Sequence, residues 1–228
     1  MLESGYAWHV DLIPALSAAI DKLGSARVRV LVGIDGPDGS GKTTLADNLA
    51  ESLTGPVLRA SIDGFHNPTE LRRRRGDLSP EGYYRDSFDH QSLLDDLLDP
   101  FATGQGEVLV RRYDWRTGAG PLSTEVPEQA TLLFDGVFLL RPELRNVWHL
   151  TVYLRVGPEE SLRRALERDL HLFGSDEEVR KRYLARYLPG QALYQNESDP
   201  EGRAHVVVDN NDPMTPVILR WTDPDVAQ

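Results

Sequence analysis

A glycine-rich turn between an apolar run and a helix-forming run constrains the fold of this chain more than any other feature. Residues 28–46 read VRVLVGIDGPDGSGKTTLA, and residues 36–43 match the pattern GxxxxGK(S/T) without a mismatch. The β-branched run predicts a buried strand, and the residues from Thr43 onward predict a helix. Because the pattern is meaningful only between a strand and a helix, this context predicts a phosphate-binding loop.

The residue types in this loop suit a nucleoside triphosphate. Glycines adopt backbone angles closed to other residues, so successive N–H groups can turn inward around an anion. Lys42 can reach the β- and γ-phosphates, and the Thr43 hydroxyl is suited to ligate Mg²⁺. We therefore expect ATP and Mg²⁺ as cofactors. The candidate nucleotide-binding residues are Gly36, Asp38, Gly39, Ser40, Gly41, Lys42, Thr43 and Thr44.

Length and charge limit the classes of function. A chain of 228 residues accommodates one sizeable α/β domain. Its net charge of −11 disfavours broad binding of nucleic acid or of an anionic membrane. The absence of cysteine excludes disulfides and thiolate catalysis. Because the chain starts without the features of a signal peptide and no apolar run is long enough for a membrane span, we expect a cytoplasmic protein.

Strand-like and helix-like patterns alternate along the chain. Such alternation predicts a single α/β domain over 1–228, with a mostly parallel sheet and helices on both faces. An amphipathic helix is expected at about 8–24, without a chemical role. A helical lid at about 158–190 is expected to be inserted in this domain. The predicted strands are 28–34, 57–62, 107–113, 130–134, 150–156 and 205–208, the last of these being the final strand.

Two acidic residues follow predicted strands. Asp63 comes after the strand at 57–62, and Asp135 closes the strand at 130–134. Ligands in open α/β sheets bind at the carboxyl ends of the strands, so Asp63 is expected near the phosphate loop. A buried strand closed by an acidic residue is typical of the carboxylate on the Mg²⁺ side of such loops, which makes Asp135 a candidate metal ligand with Thr43.

Two further segments are candidates for the active site. The segment 67–89 is charged, turn-rich and aromatic, and it resembles an elaborated active-site loop. Its arginine run at 72–75 either faces solvent or contacts an anionic acceptor, and the sequence leaves both interpretations open. Arg164 and Arg168 are expected on one face of a helix that adjoins a glycine hinge, which suggests a lid closing on a triphosphate. Surface ion pairs with neighbouring glutamates are the alternative.

With these residues in place, the chain resembles the uridine kinase and phosphoribulokinase superfamily of small-molecule kinases over about residues 28–213. The resemblance rests on several motifs besides the phosphate loop. They are Asp63-Gly64-Phe65, Ser87-Phe88-Asp89-His90, Tyr113-Asp114-Trp115, Phe134-Asp135-Gly136, Arg164 with Arg168-Asp169, and Arg186-Tyr187-Leu188-Pro189.

The resemblance implies roles for individual residues. Asp63 would accept the proton of the acceptor hydroxyl, Asp89 would hold ribose hydroxyls, and Tyr113 would line a nucleoside pocket. Arg164 and Arg168 would surround the transferring phosphates with Lys42, and Asp135 would support Mg²⁺. The candidate substrate-binding residues are Phe65, His66, Tyr83, Tyr84, Arg85, Phe88, Asp89 and Tyr113.

The chain also departs from the pattern of uridine kinases. Gly118 stands where a base-reading histidine is typical, and His66 replaces a tyrosine. The resemblance therefore implies an ATP-dependent kinase acting on a small-molecule hydroxyl, with a nucleoside 5′-hydroxyl as the first candidate. A pantothenate, sugar or sugar-phosphate kinase is the alternative of the same superfamily, and an ATP-hydrolysing or nucleotide-binding regulatory protein is the alternative of another class. Homo-oligomers are frequent in this superfamily, but the sequence carries no decisive interface signal.

Overall fold

A computed structural model of the protein describes residues 12–114 and 117–224. Its centre is a six-stranded sheet with the strand order β2-β5-β1-β6-β7-β8, and β3 and β4 form a separate two-stranded sheet. The strands from β2 to β7 in that order run parallel, whereas β8 is antiparallel to β7. The strands are β1 (Arg29–Asp35), β2 (Val57–Ser61), β3 (Glu107–Arg111), β4 (Leu122–Glu125), β5 (Ala130–Gly136), β6 (Leu150–Arg155), β7 (Val206–Asp209) and β8 (Val217–Trp221).

In the described part of the chain, helices lie in the connections from β1 to β2, from β2 to β3 and from β6 to β7, and α1 precedes β1. Two π-helical turns, Leu94–Leu98 and Tyr183–Tyr187, join α5 to α6 and α8 to α9, and a 3₁₀ turn at Ile62–Gly64 follows β2. Among the described residues, no helix has the length and apolar character needed to cross a membrane. The helices are α1 (Leu12–Ala26), α2 (Lys42–Ser52), α3 (Thr69–Arg72), α4 (Pro80–Asp86), α5 (His90–Leu93), α6 (Asp99–Ala102), α7 (Pro158–Phe173), α8 (Asp176–Arg182), α9 (Leu188–Ser198) and α10 (Pro200–Arg203).

The central strands are buried because helices cover both faces of the sheet. All residues of β1 are buried, and its apolar side chains alternate between two clusters. Val30 and Val32 pack in the cluster that contains α1 and α2, whereas Leu31 belongs to the cluster of Phe134 and Trp148 on the opposite face. This arrangement confirms the predicted fold class, a mostly parallel sheet with helices on both faces.

Several predicted boundaries are wrong. The strand ending at 208 is not the last one, because β8 adds an antiparallel edge strand. Its residues are half-buried or exposed, and its apolar run Val217-Ile218-Leu219 is short. Helix α1 continues to Ala26, past the predicted end near Gly24. The segment 67–89 contains two short helices, α3 and α4. Residues 8–11 of the predicted first helix and Trp115 lie outside the described residues.

His90, at the start of α5, connects packing with pH. The Arg141 Nη1 atom lies 3.1 Å from Nε2 and 3.3 Å from Nδ1 of the His90 ring. Burial, and to a smaller degree the Arg141 guanidinium, lower the pKa of His90 to about 4. An unperturbed histidine titrates near pH 6.5. The neutral ring therefore contributes to stability above about pH 6.5, and this contribution is lost as the pH falls toward 4.

We expect the free energy of unfolding to decrease between pH 7 and pH 4 by up to about 3 kcal/mol on account of His90, since one pKa unit corresponds to about 1.4 kcal/mol. Urea unfolding of the wild type and of His90→Gln across this range measures the effect. The variant should show a flatter dependence, while His171→Gln, a change at an exposed position of α7, should keep the wild-type slope. Identical slopes for all three proteins would contradict this assignment.

Candidate active site

The phosphate loop owes its shape to its glycines. Gly36, Gly39 and Gly41 have φ angles of 153°, 72° and 90°. A Cβ at Gly36 would lie 2.6 Å from the backbone oxygen of Leu154, so a larger residue does not fit there. Helix α2 begins directly after Gly41, which provides no side-chain cap. The first N–H groups of this helix are consequently available to an anion, as a phosphate site requires.

Lys42 lies at the centre of this loop. Its Nζ donates hydrogen bonds to Pro37 O at 2.7 Å and to Ser40 Oγ at 3.4 Å. Desolvation by the surrounding protein lowers the pKa of Lys42, and the carboxylates of Asp38, Asp35 and Asp135 oppose that shift. A cation so placed, beside a glycine cradle and a free helix N-terminus, fits the phosphates of ATP.

Asp135 is buried beside the loop, where sequence analysis expects the Mg²⁺ side. It lies at the end of β5, and the sheet register pairs it with Ser61 of β2. The Thr43 Oγ1 donates to Asp135 Oδ2 at 2.9 Å, and Arg59 Nη2 donates to Oδ1 at 3.1 Å. Hydroxyl and carboxylate oxygens are the donors that Mg²⁺ prefers, so this pair fits the ion.

Arg59 is a site-adjacent residue that sequence reasoning missed. Its guanidinium joins Asp135 to Asp47 on α2, at 2.9 Å from Asp47 Oδ1, and it also donates to Leu133 O at 3.1 Å. The alternation of β2 places Arg59 on the same face as Ser61. This alternation indicates which face of the sheet Arg59 lies on, but it does not identify Asp47 and Asp135 as its partners.

One cavity collects several of the predicted site residues. It has a volume of about 150 Å³. Asp63 belongs to the 3₁₀ turn that follows β2, and it faces this cavity because parallel strands end at the same edge of the sheet. Arg168 and Phe173 approach from α7. The cavity is lined by Asp38, Lys42, Thr43, Ser61, Asp63, His66, Tyr83, Phe88, Asp135, Arg168, Asp169, Phe173, Tyr183 and Tyr187, among others.

The predicted lid consists of two helices that meet at a glycine. Helix α7 ends at Phe173, and Gly174 follows it with a φ of 83°. Ser175 caps α8 by accepting a hydrogen bond from Glu178 N at 3.2 Å. The second helix does not stop near residue 188 as expected, because the π-helical turn at 183–187 carries the helical path into α9. Closure of this segment stays a prediction.

The structure separates the two lid arginines. Arg168 lines the cavity, and its Nη2 donates to Asp169 Oδ2 at 2.9 Å and to Tyr183 OH at 3.1 Å. Arg164 instead lies against the outer side of the loop, where it donates to Gly39 O at 3.0 Å and to Asn210 O at 2.7 Å. In this structure Arg164 thus does not line the cavity that contains Arg168, and the expectation that both surround the transferring phosphates stays a prediction.

A second cavity, of about 510 Å³, adjoins the outer side of the phosphate loop. Thr44, a predicted nucleotide-binding residue, lies on its wall. The start of α1 also lines this cavity, although the sequence predicts no chemical role for that helix. The lining includes Leu12, Ile13, Pro14, Gly39, Gly41, Thr44, Leu45, Leu154, Arg164, Asn210, Pro213 and Pro216. This largely apolar wall beside the phosphate loop suits the base of a nucleotide.

Three of the predicted acceptor residues line the small cavity, namely His66, Tyr83 and Phe88. The rings of His66 and Phe88 have centroids 4.6 Å apart. Tyr83 lies edge-on to Tyr187, with a centroid separation of 4.9 Å. Together they form an aromatic wall beside Asp63.

The other predicted acceptor residues lie elsewhere. Phe65 and Tyr84 are buried in the core, with exposed fractions of 0% and 2%, so neither presents a free face to a ligand. Arg85 pairs with Glu197 on α9 at 2.5 Å. Tyr113 is exposed and does not line the cavity. The aromatic residues of such a segment can either line a binding site or pack in the core, and the sequence alone does not distinguish the two roles.

Asp89 is engaged in local contacts. Its Oδ1 accepts from Ser92 N at 3.0 Å, which caps α5, and its Oδ2 accepts from Ser92 Oγ and from Arg112 Nη1, both at 2.8 Å. It does not line the small cavity. The structure thus places the expected ribose clamp outside the group formed by Lys42 and Asp63.

The arginine run has a structural role that neither interpretation anticipated. Arg74 Nη2 and Arg75 Nε donate to the two carboxylate oxygens of Asp86, at 2.5 Å and 2.7 Å. The Asp86 side chain is only 2% exposed. Together with hydrogen bonding and despite burial, the two guanidinium groups lower the pKa of Asp86. Arg74 and Arg75 therefore hold the segment 67–89, called the acceptor loop below, together through Asp86, while their side chains remain 53% and 40% exposed to solvent. Contact of the run with an anionic acceptor stays a prediction.

Comparison with known proteins finds uridine kinases among the relatives of this chain. No family model matches the chain. A uridine kinase from Vibrio cholerae serotype O1 is 32% identical over 168 residues, which cover 70% of this chain and 78% of that protein. A structure from Bacillus stearothermophilus, described as a possible uridine kinase, has a TM-score of 0.64 at 24% identity and covers 85% of this chain and 98% of its own. A candidate fructose transport system kinase from Silicibacter sp. TM1040 has a TM-score of 0.70 at 24% identity, covering 83% and 96%. At these identities the structures show the fold.

Proposed function

Because the chain belongs to the uridine kinase-like superfamily of P-loop kinases and is an ATP-dependent phosphotransferase acting on a hydroxyl, we propose that its acceptor is the 5′-hydroxyl of a pyrimidine nucleoside such as uridine or cytidine. The observation that carries the proposal is the cavity that holds Lys42, Asp63 and Arg168 together. The names of the relatives support the choice of nucleoside.

Asp63 is proposed to act on the acceptor. Its carboxylate orients the hydroxyl and takes its proton as the new oxygen–phosphorus bond forms and the bond to the leaving ADP breaks. Lys42 and Arg168 offset the negative charge on the transferring phosphoryl oxygens. Bound Mg²⁺, held by Thr43 and Asp135, would neutralise further phosphate charge. The proposed ATP site extends from the phosphate loop into the 510 Å³ cavity, where the base meets the apolar wall.

A smaller polyol, such as a sugar, is the second candidate acceptor. The observation that favours it is Gly118, which replaces the expected base-reading histidine. This glycine has a φ of 74°, and a Cβ built on it would meet nothing within 4 Å. Position 118 therefore has no side chain with which to contact a base. Pantothenate and sugar phosphates are further alternative acceptors.

A panel of acceptors tests the proposal. ADP release from Mg·ATP is measured with uridine, cytidine, other nucleosides, pantothenate, pentoses and hexoses, and the product mass is determined for each. We expect the highest kcat/KM with a pyrimidine nucleoside, and no reaction with 5′-deoxyuridine, which lacks the acceptor hydroxyl. A response confined to a sugar or to pantothenate would replace the nucleoside by that acceptor and leave the kinase assignment in place.

A further inference from the structure

Asp38 occupies a position of the phosphate loop that the motif leaves open, and its side chain is bonded to elements outside the loop. Tyr83 OH, in α4, donates to Asp38 Oδ2 at 2.7 Å, and Gln191 Nε2, in α9, donates to the same oxygen at 2.8 Å. Both donors are 6% exposed. Burial and the adjacent Asp38 carboxylate raise the pKa of Tyr83, so its hydroxyl keeps its proton and remains a donor.

The other carboxylate oxygen has a different environment. Within residues 12–114 and 117–224, Asp38 Oδ1 accepts no hydrogen bond, although Asp38 lines the same cavity as Lys42 and Asp63. A carboxylate repels the oxygens of a transferring phosphate because both carry negative charge. It does accept hydrogen bonds from hydroxyl groups, and such charge-assisted bonds are strong.

We propose that Asp38 binds the acceptor rather than the nucleotide: its Oδ1 accepts a hydrogen bond from an acceptor hydroxyl other than the one that is phosphorylated. The acceptor class is then a polyol, and for a nucleoside the bonded group is the ribose 2′- or 3′-hydroxyl. This inference rests on the proposed function in requiring a small-molecule acceptor that reacts next to Asp63. It changes the sequence-based expectation, which grouped Asp38 with the nucleotide-binding residues.

The surroundings of Asp38 explain how it could serve this purpose. The two donors at Oδ2 fix the carboxylate between the phosphate loop, α4 and α9, and Ser161 Oγ of α7 donates to Asp38 O at 2.5 Å. A fixed carboxylate loses little side-chain entropy on binding a hydroxyl. Asp89 differs in this respect, because both of its oxygens already accept hydrogen bonds.

The test combines a change in the protein with a change in the substrate. The kcat/KM of wild type, Asp38→Ala and Tyr83→Phe is measured with uridine, 2′-deoxyuridine and 3′-deoxyuridine. The wild type should prefer uridine over at least one deoxy analogue by about ten- to hundredfold, the range for a hydrogen bond to a charged group. In Asp38→Ala this preference should fall to about threefold or less. Tyr83→Phe, which keeps the carboxylate, should react more slowly but retain the preference.

A purely structural role for Asp38 predicts another pattern, in which Asp38→Ala slows all three substrates equally and the preference is unchanged. That result overturns the inference, as does a wild type without any preference. Asp38→Asn serves if Asp38→Ala does not fold. It should weaken the preference for uridine over the deoxy analogue at least threefold, because the side-chain oxygen that accepts the hydrogen bond no longer carries a charge. If no nucleoside reacts, the nucleoside proposal fails by itself. The same kcat/KM comparison of the three proteins is then repeated with the acceptor found by the panel and with its deoxy analogue. An acceptor that has only one hydroxyl overturns the inference.

Discussion

Asp63→Asn should lower kcat for the acceptor at least about a hundredfold and leave the affinity for Mg·ATP nearly unchanged. The magnitude is the lower end of the range for losing a general base. An amide has nearly the shape of the carboxylate but cannot take the proton of the hydroxyl. Asp63 lies in the 3₁₀ turn after β2 and not in the phosphate loop, so we expect the nucleotide contacts to stay intact. Steady-state kinetics with uridine and equilibrium titration with Mg·ATP measure the two effects.

The matched control is Asp77→Asn. The Asp77 side chain is 55% exposed and pairs with Arg73 within the acceptor loop, away from the cavity. This variant should retain the kcat of the wild type. Unchanged turnover in Asp63→Asn would remove Asp63 from the mechanism, and weaker Mg·ATP binding with normal turnover would assign it to the nucleotide side.

Lys42→Met should reduce kcat by about a hundred- to a thousandfold and also weaken the binding of Mg·ATP. The range is that for loss of one preorganised electrostatic contact to a transition state. Without nucleotide, the Lys42 Nζ donates to Pro37 O and Ser40 Oγ, which are neutral acceptors. When a phosphate enters, Lys42 gains a negatively charged partner in their place. Methionine retains the length of the side chain and removes the charge. Kinetics at saturating uridine and calorimetric titration with Mg·ATP test both parts.

Lys22→Met, at an exposed position of α1, controls for the loss of one positive charge. It should behave like the wild type in both assays. Thermal unfolding of Lys42→Met establishes that the variant is folded, and its stability should be equal to or greater than that of the wild type. Desolvation in the absence of nucleotide lowers the pKa of this lysine, so its charge is costly there. Full activity of Lys42→Met would contradict the phosphate-loop assignment.

Features fixed by local backbone requirements could be predicted from the sequence. The loop from Gly36 to Gly41 needs positive φ angles at defined positions, and its glycines stand at those positions. Asp63 and Asp135 follow apolar strands, and parallel strands end at one edge of a sheet, so their proximity to the loop followed from topology. The parallel sheet itself followed from the alternation of strands and helices.

Features decided by long-range packing could not be predicted. Arg164 and Arg168 lie one turn apart on α7. Arg164 contacts the outer side of the phosphate loop, whereas Arg168 lines the cavity. Phe65 and Tyr83 are both buried aromatic residues, yet only Tyr83 also lines the cavity. The partner of Arg74 and Arg75 is more than ten residues away, and periodicity carries no information about it.

The central claim, transfer of a phosphoryl group from ATP to an acceptor hydroxyl, is tested most directly by following the γ-phosphoryl group. The protein is mixed with Mg·ATP labelled at the γ-phosphate and with excess uridine, and the label is partitioned between uridine monophosphate and inorganic phosphate. We predict that the label appears in the nucleotide, with ADP formed in equal amount and little inorganic phosphate. Release of the label as inorganic phosphate at the same rate with and without every acceptor of the panel would contradict the claim and indicate an ATP-hydrolysing protein.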